Sequence, residues 1–390
     1  MINFDFSLKT KIFFGKDKEL EISNILKSFG YKKVVIFTGK SSARKSGLLD
    51  KVLNILNQNE IKYLLLEGIR ANPEISFVRD RLDLVREFAP DCLLAIGGGS
   101  VMDTAKSMSV SYYYDGDPFD FNLHVVKPEK ALPIGAIVTI AASGSESSTS
   151  CVMSNDKTKQ KKGFNSELVV PTFAIENPKL YINLSWNQKC YGLVDIMMHT
   201  MERYFCESSL NEPCDRFAEG LLISVIQAGK DLLKDPTNYE AHAVLMLMSS
   251  LSHDGLMNIG KKAHMPVHQL EHALSGLYPQ VPHGAGLAVL FPAWAKYYVK
   301  YDVDKFDLFA RNVFHSNVEN KEENARIGIT LLEEFFSSLG MPKTLRELGI
   351  ESPDIDSLLR IMEKNGTRVV GHHIKPMDQE VAREIFNSCL

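Results

Sequence analysis

The sequence predicts two domains, an α/β domain over residues 1–182 followed by an all-helical domain over residues 183–390. Three observations lead to this prediction. The chain has 390 residues, more than one hydrophobic core usually organises. Short β-branched apolar runs alternate with helical patterns in the first half. Long segments with the helical period of about 3.6 residues dominate the second half.

The first half contains five apolar runs that indicate buried strands, each bounded by Gly, Asp, Asn or Pro. These runs are VVIFTG (34–39), KYLLLEG (62–68), CLLAIGGG (92–99), IGAIVTI (134–140) and TFAIENP (172–178). Between them, stretches such as 47–58 and 75–88 carry apolar residues at helical spacing. This alternation predicts a mostly parallel sheet that is covered on both faces. The lysine-rich stretch KTKQKK (157–162) predicts a solvated turn.

After about residue 185 the pattern becomes helical, and residues 178–187 suggest a hinge. Few β-branched runs interrupt the helical segments that follow. These segments are 186–206, 214–233, 238–257, 264–277, 322–339 and 354–364. The second half is therefore predicted to be all-helical.

Composition and charge exclude several function classes. The net charge of −4 argues against nucleic acid or an anionic membrane as the main partner. The N-terminus lacks the pattern of a secretory signal, and no run of about 18 apolar residues is present to span a membrane. Six cysteines occur without a CxxC pair, which suits reduced thiols in a cytosol. We therefore expect a cytoplasmic protein with a small-molecule partner.

A glycine-rich turn connects a predicted strand to a helix. Gly97, Gly98, Gly99 and Ser100 follow CLLAI directly, and Asp103 lies in the first turn of the next helix. Glycines let the backbone approach a phosphate, and the free N–H groups of the helix N-terminus favour its negative charge. Ser100 is expected to cap the helix or donate to the phosphate. This is not the GxGxxG fingerprint, because Met102 stands in place of the third glycine, but the context predicts a dinucleotide-binding turn.

Two further strand ends fit a dinucleotide site. After IGAIVTI, the hydroxyl groups of Thr139, Ser143 and Ser145 are candidates to bind the pyrophosphate or the nicotinamide ribose. After VVIFT the chain continues with Gly39, Lys40, Ser41, Ser42, Arg44 and Lys45, and no acid occurs before Asp50. A carboxylate here usually binds the ribose of NAD, whereas positive charge suits the 2′-phosphate of NADP. The loop therefore favours NADP over NAD, unless its basic residues only form a solvated face.

Two groups of potential metal ligands occur in the second half. Asp195 and His199 lie four residues apart in a predicted helix, so that a carboxylate and an imidazole share one face. Four of the eleven histidines then fall within twenty residues, and these are His264, His268, His272 and His283. One carboxylate with several imidazoles suits a first-row divalent ion, either Fe²⁺ or Zn²⁺.

Spacing alone does not select the ligands among these histidines. Steps of four residues drift by about 40° around an ideal helix, so His264, His268 and His272 cannot all face one ion equally well. At least one of them has another role. A lone histidine is usually a satisfied core residue, but this cluster beside Asp195 and His199 favours a metal site.

Four segments resemble the iron-containing alcohol dehydrogenase family, and its butanol-dehydrogenase branch most of all. They are AIGGGSVMDTAK (95–106), TIAASGSE (139–146), GLVDIMMHTMERYF (192–205) and HQLEHALSGLYPQVPHGAGLA (268–288). The resemblance extends along essentially the whole chain. It implies the fold shared with dehydroquinate synthase and glycerol dehydrogenase, in which an α/β dinucleotide-binding domain precedes an all-helical domain.

The resemblance also assigns roles to individual residues. It implies that the metal ligands are Asp195, His199, His268 and His283. It implies that His272 is a nearby catalytic histidine that relays the alcohol proton, and it assigns no ligand role to His264. Lys162 corresponds by position to a family lysine near the nicotinamide ribose. His372 and His373 match no family site, and we expect them at the surface.

The predicted function is hydride transfer between NADP or NAD and a small alcohol or aldehyde. By the resemblance, bound Fe²⁺ or Zn²⁺ acts as a Lewis acid that lowers the pKa of the alcohol, so that an alkoxide forms near neutral pH. Apolar residues within the metal motifs favour small, largely apolar primary alcohols such as butanol: Leu193, Val194, Met197, Leu270, Leu274 and Leu277.

Other functions on the same fold are polyol oxidation of the glycerol-dehydrogenase type, a dehydroquinate-synthase-like lyase reaction and metal-free binding. The lyase would need a cation-rich pocket, which these apolar residues do not suggest. A binding protein would be expected to have lost ligands, whereas all four are present. The resemblance also implies a homodimer.

Overall fold

The computed structural model of the chain describes residues 3–206, 212–364, 366, 369–371 and 375–390. His372 and His373, expected at the surface, lie outside the described residues. The chain divides into two compact units. One is Ser7–Leu184, and the other consists of the described parts of Ser185–Leu390 together with residues 3–6. The prediction put the division after residue 182, and the structure puts it after Leu184.

The described residues of the N-terminal unit form eight strands. They are β1 (Lys11–Phe14), β2 (Lys33–Gly39), β3 (Lys62–Ile69), β4 (Cys92–Gly97), β5 (Ile134–Val138), β6 (Ser150–Asn155), β7 (Gln160–Asn165) and β8 (Phe173–Glu176). Six of them form a parallel sheet in the order β1-β8-β5-β4-β2-β3, and β6 pairs with β7 in a separate antiparallel hairpin. All five strands predicted from apolar runs belong to the parallel sheet, which confirms the α/β prediction.

The described residues of this unit also form seven α-helices. They are α1 (Ile22–Ser28), α2 (Ser42–Lys45), α3 (Leu48–Gln58), α4 (Ile75–Arg79), α5 (Leu82–Phe88), α6 (Gly99–Ser111) and α7 (Pro178–Ile182). Leu26 of α1 and Leu49 of α3 share one apolar core with Ile36 of β2 and Leu94 of β4. Helix α6 packs against β2, β4 and β5. Every residue of β4 and β5 is buried, as expected for central strands of a parallel sheet.

The β6–β7 hairpin corrects the interpretation of residues 157–162 as a solvated turn. The turn ends before Gln160, and the last three residues of that stretch belong to β7. Lys161 is buried, and Lys162 pairs with Met153 across the hairpin. The apolar stems of lysine side chains can line a packed surface, so a lysine-rich run does not exclude a strand.

The strand order reverses between β2 and β4, which are neighbours in the sheet. The chain runs from β2 outward to β3 on one side, and from β4 onward to β5 on the other. Because the strands are parallel, the loops after Gly39, Gly97 and Val138 lie at the same edge. Ligands of open α/β sheets bind outside the carboxyl ends of the strands, at such a reversal point.

The described residues of the C-terminal unit form nine α-helices, which confirms the all-helical prediction. They are α8 (Trp186–Tyr204), α9 (Glu212–Lys234), α10 (Tyr239–His253), α11 (Pro266–Leu277), α12 (His283–Tyr298), α13 (Val303–Phe314), α14 (Lys321–Ser338), α15 (Ile355–Lys364) and α16 (Gln379–Asn387). Helix α8 packs against α9, α10 and α12, and α11 packs against α12 and α15. Among the described residues, no helix has both the length and the apolar composition needed to cross a membrane.

Candidate metal and dinucleotide sites

Helix α8 provides the first two candidate metal ligands. The Ser185 hydroxyl accepts a hydrogen bond from the Gln188 amide at 3.4 Å and so caps the helix N-terminus. Two turns further on, Asp195 and His199 share one face, as their spacing predicts. Both are buried, and 3.7 Å separates Asp195 Oδ1 from His199 Nε2.

Two other helices bring imidazoles to the same carboxylate. His268 lies in the first turn of α11, and His283 is the first residue of α12. The Nε2 atoms of both lie 3.6 Å from Asp195 Oδ1. The first turn of α12 approaches α8 closely because Gly284 has no side chain, and a Cβ there would stand 2.7 Å from the Tyr191 Cα atom.

This cluster has the donor set and spacing of a divalent metal site. Ligand atoms of Asp195, His199 and His268 lie within 4.8 Å of one another. Four tetrahedral ligands at about 2.1 Å from an ion stand roughly 3.4 Å apart, close to the spacings observed. Within the described residues, Asp195 Oδ1 and His268 Nε2 are buried and make no hydrogen bond. Because buried polar atoms are normally paired, the cluster fits an ion at this position.

The buried histidines of this cluster differ in basicity. Burial, together with the neighbouring imidazoles of His253 and His268, lowers the pKa of His199 well below its ordinary value. Burial also acts to lower the pKa of His268, but the carboxylates of Glu202 and Asp195 outweigh it and raise that pKa to about 9. Since a metal ion binds neutral imidazole, His199 is ready to bind at neutral pH, whereas His268 releases a proton when an ion binds.

The remaining histidines of the motif occupy different places. His272 follows His268 by one turn of α11 and is half-buried, and its ring centroid lies 6.0 Å from that of His283. His264 precedes α11 and packs against Gly371, where a Cβ would lie 2.7 Å from its Cε1 atom. The interpretation of 264–277 as one helix was therefore wrong at its start, since α11 begins at Pro266.

Sequence reasoning missed three side chains that surround the ligands. Glu202 and Glu271 are buried carboxylates that contact the Nδ1 atoms of His268 and His283. The ring of His253, at the end of α10, lies 4.2 Å from the ring of His199. The two glutamates carry a sequence signal, because each follows a ligand histidine by three residues in the same helix.

The predicted glycine turn joins β4 to α6. Gly98 is the N-cap residue of α6, which corrects the expectation that Ser100 caps the helix. A Cβ on Gly99 would lie 3.0 Å from the Ser143 Cβ, so only glycine lets the turn pack against the loop after β5. In that loop, the Thr139 amide donates to the Gly97 carbonyl at 3.1 Å. The turn therefore presents a helix N-terminus with no side chain on its glycines, as an anion site requires.

Asp103 and Ser145 bond to each other in this structure. The Ser145 hydroxyl donates to Asp103 Oδ1 at 2.7 Å, and the Val152 amide donates to Asp103 Oδ2 at 3.2 Å. One turn along α6, the buried Lys106 donates to the carbonyls of Ser148 and Ser150, each at 2.8 Å. These contacts attach the loop after β5 to the first two turns of α6.

The basic loop after β2 has acidic partners that its sequence does not reveal. Gly39 ends β2, and Ser41 and Ser42 begin the short helix α2. Arg44 of α2 makes a bidentate pair with Glu67 of β3, with both nitrogen–oxygen distances 2.7 Å. The Arg44 hydrogen bond is the main reason why the pKa of Glu67 is lowered. The positive charge of this loop favours NADP, and Glu67 offsets part of that charge.

Lys162 projects from the β6–β7 hairpin. Its backbone carbonyl accepts a hydrogen bond from the Asn122 side chain at 2.8 Å. Partial burial lowers the pKa of its ammonium group.

Two family models match nearly the whole chain. Residues 9–178 match "Iron-containing alcohol dehydrogenase", and residues 189–388 match "Fe-containing alcohol dehydrogenase family, C-terminal". The chain belongs to the iron-containing alcohol dehydrogenase family. The predicted family is thereby confirmed.

Relatives within this family cover the chain from end to end. NADH-dependent butanol dehydrogenase A of Clostridium acetobutylicum is 36% identical over 389 residues, with 99% of both chains covered. The NADPH-dependent aldehyde reductase YqhD of Escherichia coli is 31% identical, with 100% of both covered. The crystal structure of NADH-dependent butanol dehydrogenase A from Thermotoga maritima matches with a TM-score of 0.95 at 33% identity, covering 100% of this chain and 99% of that one.

These similarities confirm the predicted fold and enzyme class. This member of the iron-containing alcohol dehydrogenase family is an NAD(P)-dependent alcohol dehydrogenase or aldehyde reductase. Both an NADH-dependent and an NADPH-dependent relative exceed 30% identity, so the relatives leave the choice of dinucleotide open.

Proposed function

We propose that the enzyme interconverts small, largely apolar primary alcohols and their aldehydes, such as butanol and butyraldehyde. It holds Fe²⁺ or Zn²⁺ through Asp195, His199, His268 and His283. The observation that carries this proposal is that three imidazole nitrogens lie within 3.7 Å of one buried carboxylate oxygen, Asp195 Oδ1. Imidazole and carboxylate ligands suit either ion.

When bound, the ion supplies a Lewis acid for the substrate oxygen and the nicotinamide exchanges the hydride. His272 is the residue that we assign to proton transfer. It lies beside the ligands on α11 and is half-buried, and imidazole exchanges protons readily near neutral pH. The His272→Ala variant should retain the metal and lose most of its turnover. His264→Ala is the matched control, because His264 lies outside α11 and should affect neither.

The dinucleotide is assigned to the loops at the carboxyl edge of the sheet. The turn of Gly97, Gly98, Gly99 and Ser100 holds the pyrophosphate, with Thr139 and Ser143 from the loop after β5. Asp103 and Ser145 support these loops through their mutual hydrogen bond. Gly39, Ser41 and Ser42 border the adenosine ribose, and Lys162 borders the nicotinamide ribose. The cofactor is NADP or NAD.

The substrate class is inferred from the apolar composition of the two helices that carry most of the ligands. Leu193, Val194 and Met197 of α8 are buried, as are Leu270 and Leu274 of α11. Helices with this composition offer few polar groups to a charged or polyhydroxylated substrate. A short aliphatic chain is the substrate they suit best.

We also propose a cytoplasmic location and a homodimer. All six cysteines are buried free thiols, as expected in a reducing compartment. The homodimer rests on the family resemblance alone. Light scattering of the purified protein tests it, and a monomer would contradict it.

The test of the function follows reduced-cofactor absorbance near 340 nm with butyraldehyde and either NADPH or NADH. The protein is assayed as purified, after chelation, and with Fe²⁺ or Zn²⁺ restored. Chelator-sensitive oxidation that returns with metal is the expected result. Activity confined to polyols would favour the glycerol-dehydrogenase type, and inactivity with both cofactors, both metals and several carbonyl compounds would overturn the proposal.

A further inference from the structure

The two helices that carry most of the candidate ligands share a short pattern. In α8, Glu202 follows His199 by three residues, and in α11, Glu271 follows His268 by three. Residues three apart lie on neighbouring positions of one helical face. Both glutamate side chains are completely buried, with 0% of their surface exposed.

Each glutamate contacts the ligand histidine of the next ligand-bearing helix rather than the one on its own helix. Glu202 of α8 contacts Nδ1 of His268 in α11. Glu271 of α11 contacts Nδ1 of His283, the first residue of α12. The three helices are therefore joined in sequence by contacts between a carboxylate and an imidazole.

Glu202 also binds the start of α11 directly. Its Oε1 atom accepts hydrogen bonds from the Val267 amide at 2.5 Å and the His268 amide at 3.3 Å. These amides belong to the first turn of α11, whose N–H groups have no partner within the helix. One carboxylate thus orients both the backbone and the side chain of His268.

A carboxylate at Nδ1 determines how an imidazole binds a metal. It keeps the proton on Nδ1, directs the Nε2 lone pair away from itself, and increases the basicity of the ring. For both histidines, Nε2 is the atom 3.6 Å from Asp195 Oδ1. Among the described residues, neither His199 Nδ1 nor His283 Nδ1 makes a hydrogen bond of normal geometry, but His283 Nδ1 has the Glu271 carboxylate in contact with it, as His268 Nδ1 has that of Glu202.

We propose that Glu202 and Glu271 are positioning residues of the metal centre, each holding the ligand histidine of the following helix in the tautomer that binds the ion. The proposal rests on the assignment of the metal ligands made above. Neither glutamate contacts the ion or the substrate in this role. Both determine how tightly the ion is held, acting through Nδ1 of His268 and His283.

The Glu202→Gln substitution tests the tautomer argument most directly. The backbone N–H groups of Val267 and His268 require an acceptor. The side-chain oxygen of the glutamine therefore faces them, and the side-chain NH₂ group faces Nδ1 of His268. That arrangement forces the proton of His268 onto Nε2, where the ion would bind. We expect the Kd for metal to rise by about 10- to 100-fold, the range typical of lost outer-shell partners. Glu271→Gln should weaken binding within the same range.

The measurement is the Kd of the metal-free, full-length protein for Zn²⁺, by competition with a chromophoric chelator. Thermal unfolding of the metal-free proteins is recorded in parallel. Glu219→Gln is the matched control, because Glu219 is also buried and hydrogen-bonded, to Tyr204 and Asn312 at 2.8 Å, and contacts no ligand histidine. The expected result is weaker Zn²⁺ binding in both test variants and wild-type binding in the control.

Two results would overturn the proposal. One is wild-type Zn²⁺ affinity in both test variants, and the other is an equal loss in Glu219→Gln. If Glu202→Gln does not fold, Glu271→Gln alone decides between these outcomes. Asp195→Asn separates this inference from the proposed function. If Asp195→Asn does not reduce Zn²⁺ binding, the metal site itself is wrong, whereas loss in Asp195→Asn with wild-type affinity in both glutamate variants refutes only the positioning role.

Discussion

Replacing Glu67 with glutamine should shift the enzyme toward NADPH. Arg44 lies in α2, directly after the end of β2, where we place the adenosine ribose. In the wild-type protein, the Arg44 guanidinium donates two hydrogen bonds of 2.7 Å to the carboxylate of Glu67 in β3. Glutamine preserves the size of this side chain but removes its charge. Arg44 then keeps its longer ion pair with Asp50, at 3.4 Å, but loses the closer charge of Glu67, which both competes for the guanidinium and repels a 2′-phosphate.

The size of the effect follows from exposure. The side chains of Arg44 and Glu67 are 46% and 32% exposed, so water screens their interaction. Exposed charge pairs typically contribute about 0.2–1 kcal/mol, which changes an equilibrium by about fivefold at most. We therefore expect the KM for NADPH to fall by about twofold to fivefold and the KM for NADH to change by less than about twofold. The effect should weaken at high salt, since screening increases with ionic strength.

The assay compares kcat/KM for NADPH and NADH with one aldehyde at low and high salt. Arg44→Gln should reduce NADPH use, and the double variant should show no gain from Glu67→Gln. Glu167→Gln is the matched control, because Glu167 forms an exposed ion pair with Lys9 in the same unit. An unchanged NADPH/NADH ratio in Glu67→Gln, or an equal change in the control, would refute the reasoning.

Three further predictions concern the packing and charge around the sites. Gly284→Ala should weaken Zn²⁺ binding more than tenfold, because the added Cβ would stand 2.7 Å from the Tyr191 Cα and push α12 away from α8. Wild-type affinity for Zn²⁺, measured by chelator competition, would contradict this prediction. Lys106→Met removes the ammonium group that donates to the carbonyls of Ser148 and Ser150, so we expect a loss of about 2–4 kcal/mol in denaturant unfolding and a higher KM for the dinucleotide. An unchanged unfolding midpoint would contradict this prediction. Burial raises the pKa of Asp254 to about 6, above its ordinary value, so folding takes up a proton and stability falls as pH rises toward 6. Asp254→Asn should therefore stabilise the metal-free protein by about 1–3 kcal/mol near pH 7.5 and have little effect near pH 4, and equal changes at both would refute the assignment.

The strands that form the centre of the sheet were the most readily predicted. Strands β4 and β5 are buried along their whole length, and they appear in the sequence as unbroken apolar runs. β1 escaped prediction because it is an edge strand of four residues, Lys11–Phe14, with both ends exposed. β7 escaped because its sequence, QKKGFN, carries two lysines. In each case the strand is defined by its pairing partner rather than by its own composition.

Six of the nine helices described in the C-terminal unit match predicted segments, whereas α12, α13 and α16 were not predicted. Helix α12 was missed because nearly all of it is buried, which removes the alternation of polar and apolar faces, and because it contains Pro292. Among the histidines, the drift of four-residue steps predicts that at least one of the three has a role other than metal binding. It did not identify His264, since it assumed that the helix continued through that residue, whereas α11 begins at Pro266.

Side chains from one helix could be paired by counting residues, whereas partners from different elements could not. Asp195 and His199 share a helical face, so their spacing alone brought them together. Arg44 appeared to be an unopposed charge because its partner, Glu67, comes from the neighbouring strand, and the register of β2 against β3 is not encoded in either segment separately. The same limit hid the contact of Glu202 with His268. A charge or ligand pattern read along the chain therefore shows which groups are present, but their pairing depends on the fold. For this reason the basic loop after β2 does not by itself indicate a preference for NADP. The Glu67→Gln variant is needed to measure how strongly the positive charge of this loop affects binding of the dinucleotide.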